Sequence, residues 1–224
     1  INWGDGLWTL HAELPTCNAQ LDAVINDLGA DLSADDCVIA LTDKNNFRKD
    51  VLPTYKSNRK EKRKPIVLNA MREHIVEKHN GVMWANLEAD DVMGIMATEP
   101  SDEERILVSI DKDMRTIPCN LSQDGMTVEQ IPEKIANYNF MIQTIMGDKT
   151  DGYDGIDGVG IKTAEKLLLK YTNCTLPDLW KIVKGIYKEK GYTQKEALQQ
   201  ARVAHILRHG EYNKKTGKVK LWTI

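Results

Sequence analysis

The stretch CVIALTD, residues 37–43, decides the fold class of this chain. Its first six residues form an almost continuous apolar run, which predicts a strand buried on both faces of a parallel sheet. The stretch RILVSIDKD, residues 105–113, has the same design, because its apolar run also ends directly before acidic residues. Helical spacing of apolar residues surrounds these runs, at 18–29, 66–78, 89–98 and 138–146. This alternation predicts an α/β fold, with a Rossmann-like parallel sheet flanked by helices.

The texture of the sequence changes after residue 146. Four glycines crowd residues 152–160, and three helical patterns follow at 162–171, 177–190 and 193–209. The last residues, 210–224, favour a hairpin with its turn near Thr216 and Gly217. We therefore predict an α/β core over residues 1–146, including a basic segment at 44–65, and a helical region over residues 147–224.

Composition restricts the class of protein. With 224 residues, 42% hydrophobic and 28% charged, the chain is typical of globular proteins, and no apolar run is long enough to suggest a membrane partner. Residues 1–10 lack the features of a secretory signal. The four cysteines form no CxxC pair, which argues against a zinc site and suits a reducing cytoplasm. The five histidines do not pair at metal-ligand spacing, so we expect ordinary surface or core roles for them.

Acidic residues stand at four places where parallel α/β proteins bind ligands. Their positions are Asp43, Glu88, Asp90, Asp91, Asp111, Asp113, Asp148 and Asp151. Taken singly, acids at a helix start or just after a strand are more often dipole partners or turn formers. Eight carboxylates at one sheet edge would repel one another without cations, however, and the carboxyl ends of the strands meet at that edge. Oxygen-only ligation predicts two Mg²⁺ ions, with Mn²⁺ as a possible substitute.

Two further segments predict a polyanionic partner. Residues 44–64 contain nine basic and two acidic residues, a net charge of +7 in a chain whose net charge is −3. Cations neutralise phosphates and aromatic rings stack on unpaired bases, although a solvated charged loop is the commoner reading of such a run. The glycine turn ends at Gly158 and Gly160, just before a helix that carries Lys162 and Lys166. Exposed amides there suit a DNA phosphate, although a simple packing turn between two helices is an equal alternative.

The order of these motifs resembles the 5′ nuclease (flap endonuclease) superfamily. It is carried by TDKNNFRKDVLPTYKSNRK at 42–60, LEADDVMG at 87–94, SIDKDM at 109–114 and GDKTDGYDGIDGVGIKTAEKLL at 147–168. The likeness covers nearly the whole chain and is greatest to the 5′-3′ exonucleases (gene 6 type) of T7-like bacteriophages. It implies a PIN-like core, an arch formed by residues 44–65, and a helix–three-turn–helix DNA-binding module after residue 146.

The resemblance also implies roles for individual residues. The eight acidic residues match the two metal clusters of the family, and Gly155 to Gly160 matches a turn that holds K⁺ in many members. Family members begin with a strand that bears a metal-binding Asp, and Asp5 does not match it. The arch lysine at the scissile phosphate corresponds to Lys56, with Arg48 beside it at the catalytic site. The residues expected to bind DNA are Tyr55, Arg59, Lys60, Gly158, Gly160, Lys162 and Lys166.

The resemblance implies a divalent-metal-dependent 5′-3′ exonuclease or structure-specific 5′ nuclease that hydrolyses DNA by a two-metal mechanism. Its partners would be duplex or flapped DNA with 5′ ends and, if the chain is phage-encoded, replication proteins in the host bacterial cytoplasm. Two alternatives stay open from the sequence. One is a non-catalytic DNA-binding protein of the same fold, and the other is a nuclease directed at RNA, including RNA–DNA hybrids.

Overall fold

A computed structural model describes residues 4–6, 10–59 and 63–224 of the chain. The first element is helix α1, Leu14–Asp31, which has a proline in its first turn and no buried residue. The sequence predicted this helix over 18–29, and the prediction is confirmed with longer ends. Helix α2, Arg48–Val51, is short, and helix α3, Leu68–Lys78, lies close to its predicted range. The α1 helix packs against α3.

The strands form three small sheets within the described residues. Strand β1, Ile39–Leu41, pairs in parallel with β2, Gly81–Met83, and β3, Ile106–Val108, pairs in parallel with a strand that follows it. That strand is β4, Cys119–Ser122, and it pairs antiparallel with β5, Glu129–Ile131. The sequence did not predict β4 or β5. Helix α4, Ala89–Thr98, has the predicted bounds and contacts both β1 and β3, so it joins the two parallel pairs.

The prediction that the two apolar runs are buried on both faces is wrong. Leu41 and Leu107 are buried, but Val38 is 40% exposed and Ile110 is 89% exposed. In the described part of the chain, β1 has β2 as its single strand neighbour and β3 has β4. Short strands with one neighbour each leave the ends of both apolar runs open, although the mixed α/β class itself is confirmed.

Helix α5, Glu133–Met146, is the centre of the larger hydrophobic core. It packs against the 3₁₀ turn Lys112–Thr116 and against three helices of the second half of the chain. These are α6, Ile161–Leu168; α7, Leu176–Glu189; and α8, Gln194–Ala204. The core therefore crosses the predicted boundary at residue 146, and the division into two regions stays a prediction.

The chain ends in the predicted hairpin. Strand β6, Tyr212–Asn213, pairs antiparallel with β7, Lys218–Val219, and Gly217 adopts a positive φ of 68° in the turn between them. Trp222 then packs edge-to-face on Phe140 of α5, with ring centroids 5.1 Å apart. In the ranges that the structure describes, no helix is both long and apolar enough to cross a membrane.

Candidate active site

Six carboxylates from three parts of the chain form one group, called here the acidic cluster. Two lie at the start of α4, two follow β3, and two follow α5. Electrostatic repulsion links them. Glu88 and Asp111 raise the pKa of Asp90, while Asp111, Asp148 and Asp151 raise the pKa of Asp113. The acidic cluster thus comprises Glu88, Asp90, Asp111, Asp113, Asp148 and Asp151.

Two members of the acidic cluster are partly buried and surrounded by other carboxylates, which raises their pKa. Burial, followed by repulsion from Glu88 and Asp111, raises the pKa of Asp90 from 3.8 to about 7. Burial, followed by repulsion from Asp111, raises the pKa of Asp113 to about 6. Within the described residues, the Asp90 carboxylate has no hydrogen-bond or ion-pair partner. The positive charges of Lys56, near Asp90, and Lys112, near Asp113, lower these pKa values only in part, and a bound cation would relieve the remaining repulsion.

Asp113 also carries an orphaned atom. Its Oδ1 is buried and makes no hydrogen bond, while its Oδ2 accepts a long contact of 3.4 Å from the amide of Gln143. A buried carboxylate oxygen with no partner is costly unless a cation or water satisfies it. The residues present therefore fit a divalent ion with oxygen ligands, of the Mg²⁺ or Mn²⁺ type.

Gln143 is a positioning residue that the sequence analysis missed. It is 5% exposed on α5, and its amide also donates 2.8 Å to the hydroxyl of Tyr153. The amide therefore connects Asp113 to the turn after α5, which carries Asp148 and Asp151. Nothing in the local sequence distinguishes this glutamine from the other polar residues of α5, because its role depends on which elements pack around it.

Lys56 lies at one edge of the acidic cluster. Its ammonium makes a short ion pair with Glu88, lies 3.4 Å from the Asp151 carboxylate, and sits 5.0 Å from the ring centre of Tyr55. Its backbone N–H donates to the carbonyl of Asp151 at 2.6 Å, and its φ is 53°. Burial alone would raise the pKa of Glu88, but the positive charges of Arg48 and Lys56 outweigh it and lower that pKa. The structure thus places Lys56 beside the predicted metal ligands.

Arg59 extends the same edge outward. Its guanidinium pairs with Asp151, and 41% of its side chain is exposed. It is therefore accessible to a ligand that approaches the acidic cluster. The predicted contact residue Lys60 lies outside the described residues.

The predicted role of Tyr55 in stacking on DNA bases is wrong. Its side chain is 3% exposed and belongs to the core around α5. Its hydroxyl donates 2.7 Å to Glu88 and lies 3.2 Å from Asp151. A buried ring cannot receive a base on its face, so Tyr55 instead orients two carboxylates of the acidic cluster.

Arg48 and Asp91 form a buried ion pair beneath the acidic cluster. Arg48 is 2% exposed and Asp91 is fully buried, and two hydrogen bonds of 2.7 and 2.8 Å join them. Arg48 also donates to the carbonyls of Val203 and His205, while Asp91 accepts the N–H groups of Glu88 and Leu207.

These contacts correct two predictions. Each oxygen of Asp91 already accepts two hydrogen bonds, so no lone pair is left for a metal ion. The guanidinium of Arg48 is inside the protein and cannot reach DNA. The pair instead ties α2 and α4 to the end of α8, and it supports the acidic cluster from below.

Asp43 follows β1 as predicted, and it contacts the two residues before Glu88. Its carboxylate accepts the N–H of Asn86 at 2.9 Å, and this hydrogen bond is the main reason that the pKa of Asp43 is lowered. Its own N–H donates to the carbonyl of Leu87, which joins it to the residue before Glu88. These contacts do not link it to the carboxylates of the acidic cluster, so its assignment as a metal ligand stays a prediction.

The glycine turn leads into α6 as the sequence predicted. Gly158 has a φ of 72° and Gly160 is the N-cap residue of α6; both are exposed. Lys162 and Lys166 are exposed on α6, and among the described residues neither has an ion-pair partner. This surface is open to a ligand, whereas its contact with phosphate stays a prediction.

Comparison with known proteins identifies the family. Residues 17–140 match the family of the 5′-3′ exonuclease N-terminal resolvase-like domain. The exodeoxyribonuclease of Enterobacteria phage T3 is 34% identical over 220 residues, covering 83% of this chain and 72% of the relative. The exonuclease of Escherichia phage T7 is 34% identical over 222 residues, covering 83% and 73%.

The chain therefore belongs to the 5′-3′ exonuclease family, and the predicted 5′ nuclease resemblance is confirmed. Solved structures agree on the fold. The flap endonuclease of bacteriophage T5, in a complex with DNA and metal ions, superposes with a TM-score of 0.61 at 18% identity, covering 84% of this chain and 80% of that one. The T5 5′-exonuclease with bound zinc superposes with a TM-score of 0.59 at 19% identity, covering 84% of each chain. The PIN-like α/β class predicted from the sequence is thus confirmed.

Proposed function

We propose that this protein is a divalent-metal-dependent nuclease that hydrolyses DNA phosphodiesters from or near 5′ ends. The observation that carries the proposal is the group of converging carboxylates, in which burial and mutual repulsion raise the pKa of Asp90 and Asp113, in a chain whose relatives are exonucleases. A site that serves only to bind DNA would gain nothing from six converging carboxylates, because they repel phosphate.

The acidic cluster would hold two Mg²⁺ ions, with Mn²⁺ able to substitute for them. When bound, such ions supply charge stabilisation to both the attacking and the leaving oxygens of an in-line displacement at phosphorus. The orphaned oxygen of Asp113 and the unpaired carboxylate of Asp90 are the donors that fit this role best. Gln143 and Tyr55 hold the carboxylates in position.

The ammonium of Lys56 would supply a positive charge at the edge of the acidic cluster. This ammonium lies against Glu88 and Asp151, so a phosphate bound by metal ions at the acidic cluster would lie within its reach. There it would stabilise the charge that develops on the phosphate oxygens during the reaction. Arg59 lies farther out and would bind the adjacent DNA backbone.

Duplex DNA would be held by a second surface. The exposed lysines of α6 and the N–H groups at Gly158 and Gly160 would contact the phosphate backbone, and K⁺ would bind at the glycine turn. The turn and α6 would together act as the helix–three-turn–helix module. RNA–DNA hybrids and phage replication proteins are further proposed partners.

The experiment is a cleavage assay on 5′-end-labelled duplex DNA, flapped DNA and RNA–DNA hybrid, with Mg²⁺ or with EDTA. We expect cleavage of DNA in Mg²⁺ and none in EDTA. The variants Asp111→Ala and Asp113→Ala should lose cleavage while keeping or strengthening DNA binding, because each removes negative charge beside the phosphate. Cleavage in excess EDTA, or full cleavage by either variant, would rule out the two-metal proposal. Tight DNA binding without cleavage in Mg²⁺ would identify a non-catalytic DNA-binding protein.

A further inference from the structure

Two histidines and one aspartate meet between α1 and α3, away from the acidic cluster. Asp22 lies in the middle of α1, His74 lies on α3, and His79 is the residue at which α3 ends. The Nε2 atoms of the two histidines lie 2.6 and 2.5 Å from the same oxygen, Oδ1 of Asp22. These three residues are called here the histidine clip.

The donor set of the histidine clip differs from that of the acidic cluster. Two imidazole nitrogens and one carboxylate oxygen form a ligand set suited to Zn²⁺ and its transition-metal neighbours, whereas Mg²⁺ prefers oxygen ligands alone. The three donor atoms all lie within 4.8 Å of one another. We propose that the histidine clip is a second metal site, which binds one Zn²⁺-class ion through the Nε2 atoms of His74 and His79 and a carboxylate oxygen of Asp22.

The geometry of the clip allows an ion to enter. In a tetrahedral zinc site with bonds of about 2.0–2.1 Å, neighbouring donor atoms lie about 3.3 Å apart. The contacts between Asp22 and each histidine must therefore open by less than about 1 Å, which small side-chain rotations can provide. The rings are already set edge-to-face, with centroids 5.5 Å apart and an interplanar angle of 61°. Both histidine side chains are mostly buried, at 17% and 14% exposed, while Asp22 is 38% exposed and leaves an open side for a water ligand.

Negative charge at the clip also favours a cation. Hydrogen bonds from His74 and His79 lower the pKa of Asp22, which favours its ionised carboxylate. Deprotonated carboxylate and neutral imidazole are the states that bind metal. An ion would take the place of the two Nε2–H donors at this oxygen, and each neutral imidazole would then carry its proton on Nδ1 and offer the Nε2 lone pair to the metal.

The consequence would be structural. No residue of α1 is buried, and the histidine clip supplies the polar contacts that join the middle of this helix to α3. An ion bound by both helices would hold α1 in place, and it would stabilise the folded chain in proportion to its occupancy.

The test is zinc binding in excess Mg²⁺, which would compete with Zn²⁺ for the carboxylates of the acidic cluster. We expect wild-type protein to retain one equivalent of Zn²⁺ after desalting and to show a raised melting temperature. Co²⁺, added in place of Zn²⁺, should give visible absorption bands of a nitrogen-ligated site. The variant His74→Gln/His79→Gln should lose the bound equivalent, the absorption bands and the thermal shift, while its far-ultraviolet circular dichroism shows that it folds.

Two controls separate the histidine clip from other binding. The variant His209→Gln changes an exposed histidine outside the clip and should bind Zn²⁺ like wild type. The variant Asp111→Asn/Asp113→Asn should also keep the zinc equivalent, because it alters only the acidic cluster. The proposal is overturned if wild-type protein binds no Zn²⁺ above background, if the histidine variant binds it equally well, or if the Asp111→Asn/Asp113→Asn variant loses it. Asp22→Asn, which preserves shape, should weaken Zn²⁺ binding even if the double histidine variant fails to fold.

Discussion

Asp90 and Asp91 are neighbours in the first turn of α4, yet their surroundings are opposite. Asp91 is fully buried, and a guanidinium and two backbone N–H groups satisfy both of its oxygens. Asp90 has no such partner in the described structure, and burial together with neighbouring carboxylates raises its pKa to about 7. One carboxylate therefore belongs to the scaffold and the other to the acidic cluster.

This comparison shows what separates a structural acid from a candidate ligand. Residue type and position in a helix are almost the same for the two residues. What differs is whether the protein itself provides the compensating positive charge. Asp91 receives it from Arg48, whereas no cationic side chain among the described residues pairs directly with Asp90 or Asp113.

The largest expected effect comes from breaking the buried ion pair between Arg48 and Asp91. Arg48→Met leaves the buried Asp91 carboxylate without its cationic partner, which typically costs about 3–5 kcal/mol. We expect urea unfolding to show a loss of that size. Replacing both members, in Arg48→Met/Asp91→Leu, should restore much of the stability, because no unpaired charge remains. The matched control is Arg115→Met, which breaks an exposed pair with Glu129 and should cost about 1 kcal/mol or less. Equal losses in the two single variants would contradict the assignment of a buried pair.

The next effect concerns the chemical step. Lys56→Ala removes one preorganised charge beside the acidic cluster, and we expect single-turnover cleavage of 5′-labelled duplex to slow by about 10²–10³. DNA affinity, measured in Ca²⁺, should change little, because neighbouring cations still attract the backbone. Lys49→Ala, which removes an exposed lysine of the same segment, should leave the rate near wild type. If bound Lys56→Ala protein cleaves as fast as wild type, Lys56 acts only in general attraction.

A smaller effect is expected in the pH dependence of the free energy of unfolding, which tests the raised pKa of Asp90. The folded pKa of Asp90, about 7, lies above its ordinary value of 3.8. Its contribution to stability is therefore present at low pH and is lost as the pH rises through about 7. In EDTA, we expect the free energy of unfolding to fall by about 2–3 kcal/mol between pH 5 and pH 8.

Two measurements complete this test. Asp90→Asn should reduce the pH dependence without abolishing it, because Asp90 no longer ionises while the pKa of Asp113 is still raised. Mg²⁺ should stabilise wild-type protein more at pH 8 than at pH 5, since protons and metal ions compete for the same carboxylates. A stability that rises with pH in EDTA, in wild type but not in Asp90→Asn, would show that Asp90 is compensated after all.

The smallest expected effect concerns the proposed DNA-binding surface on α6, which is separate from the Arg48–Asp91 pair and from the acidic cluster. Neutralising Lys162 and Lys166 should weaken duplex binding and reduce the slope of log affinity against log salt by about 1 to 2. Cleavage of bound DNA should continue at the wild-type rate. Lys181→Ala/Lys188→Ala, on the exposed side of α7, serves as the control and should leave the slope unchanged. An unchanged slope in the α6 variant would remove that helix from the DNA interface.

The strands and helices of this protein could largely be predicted from periodicity, because apolar spacing reports local structure directly. The α4 bounds are as predicted, and the acidic residues after β3 do lie beside those at the start of α4. The short strands β4 and β5 were not predicted, since they contain too few apolar residues to form a pattern. The open ends of β1 and β3 were also missed, because burial depends on neighbours that a single run does not reveal.

The histidines show the same limit in another form. His74 and His79 stand five residues apart, a spacing that fails on a continuous helix and succeeds only because α3 ends at His79. Their third partner, Asp22, is more than fifty residues away in the sequence. The order of acidic and basic motifs in the sequence determined the family, the α/β class and the presence of an acidic group beside the ends of β3, α4 and α5. Only the tertiary structure decided which carboxylates are already neutralised, because pairing across distant elements depends on how those elements pack.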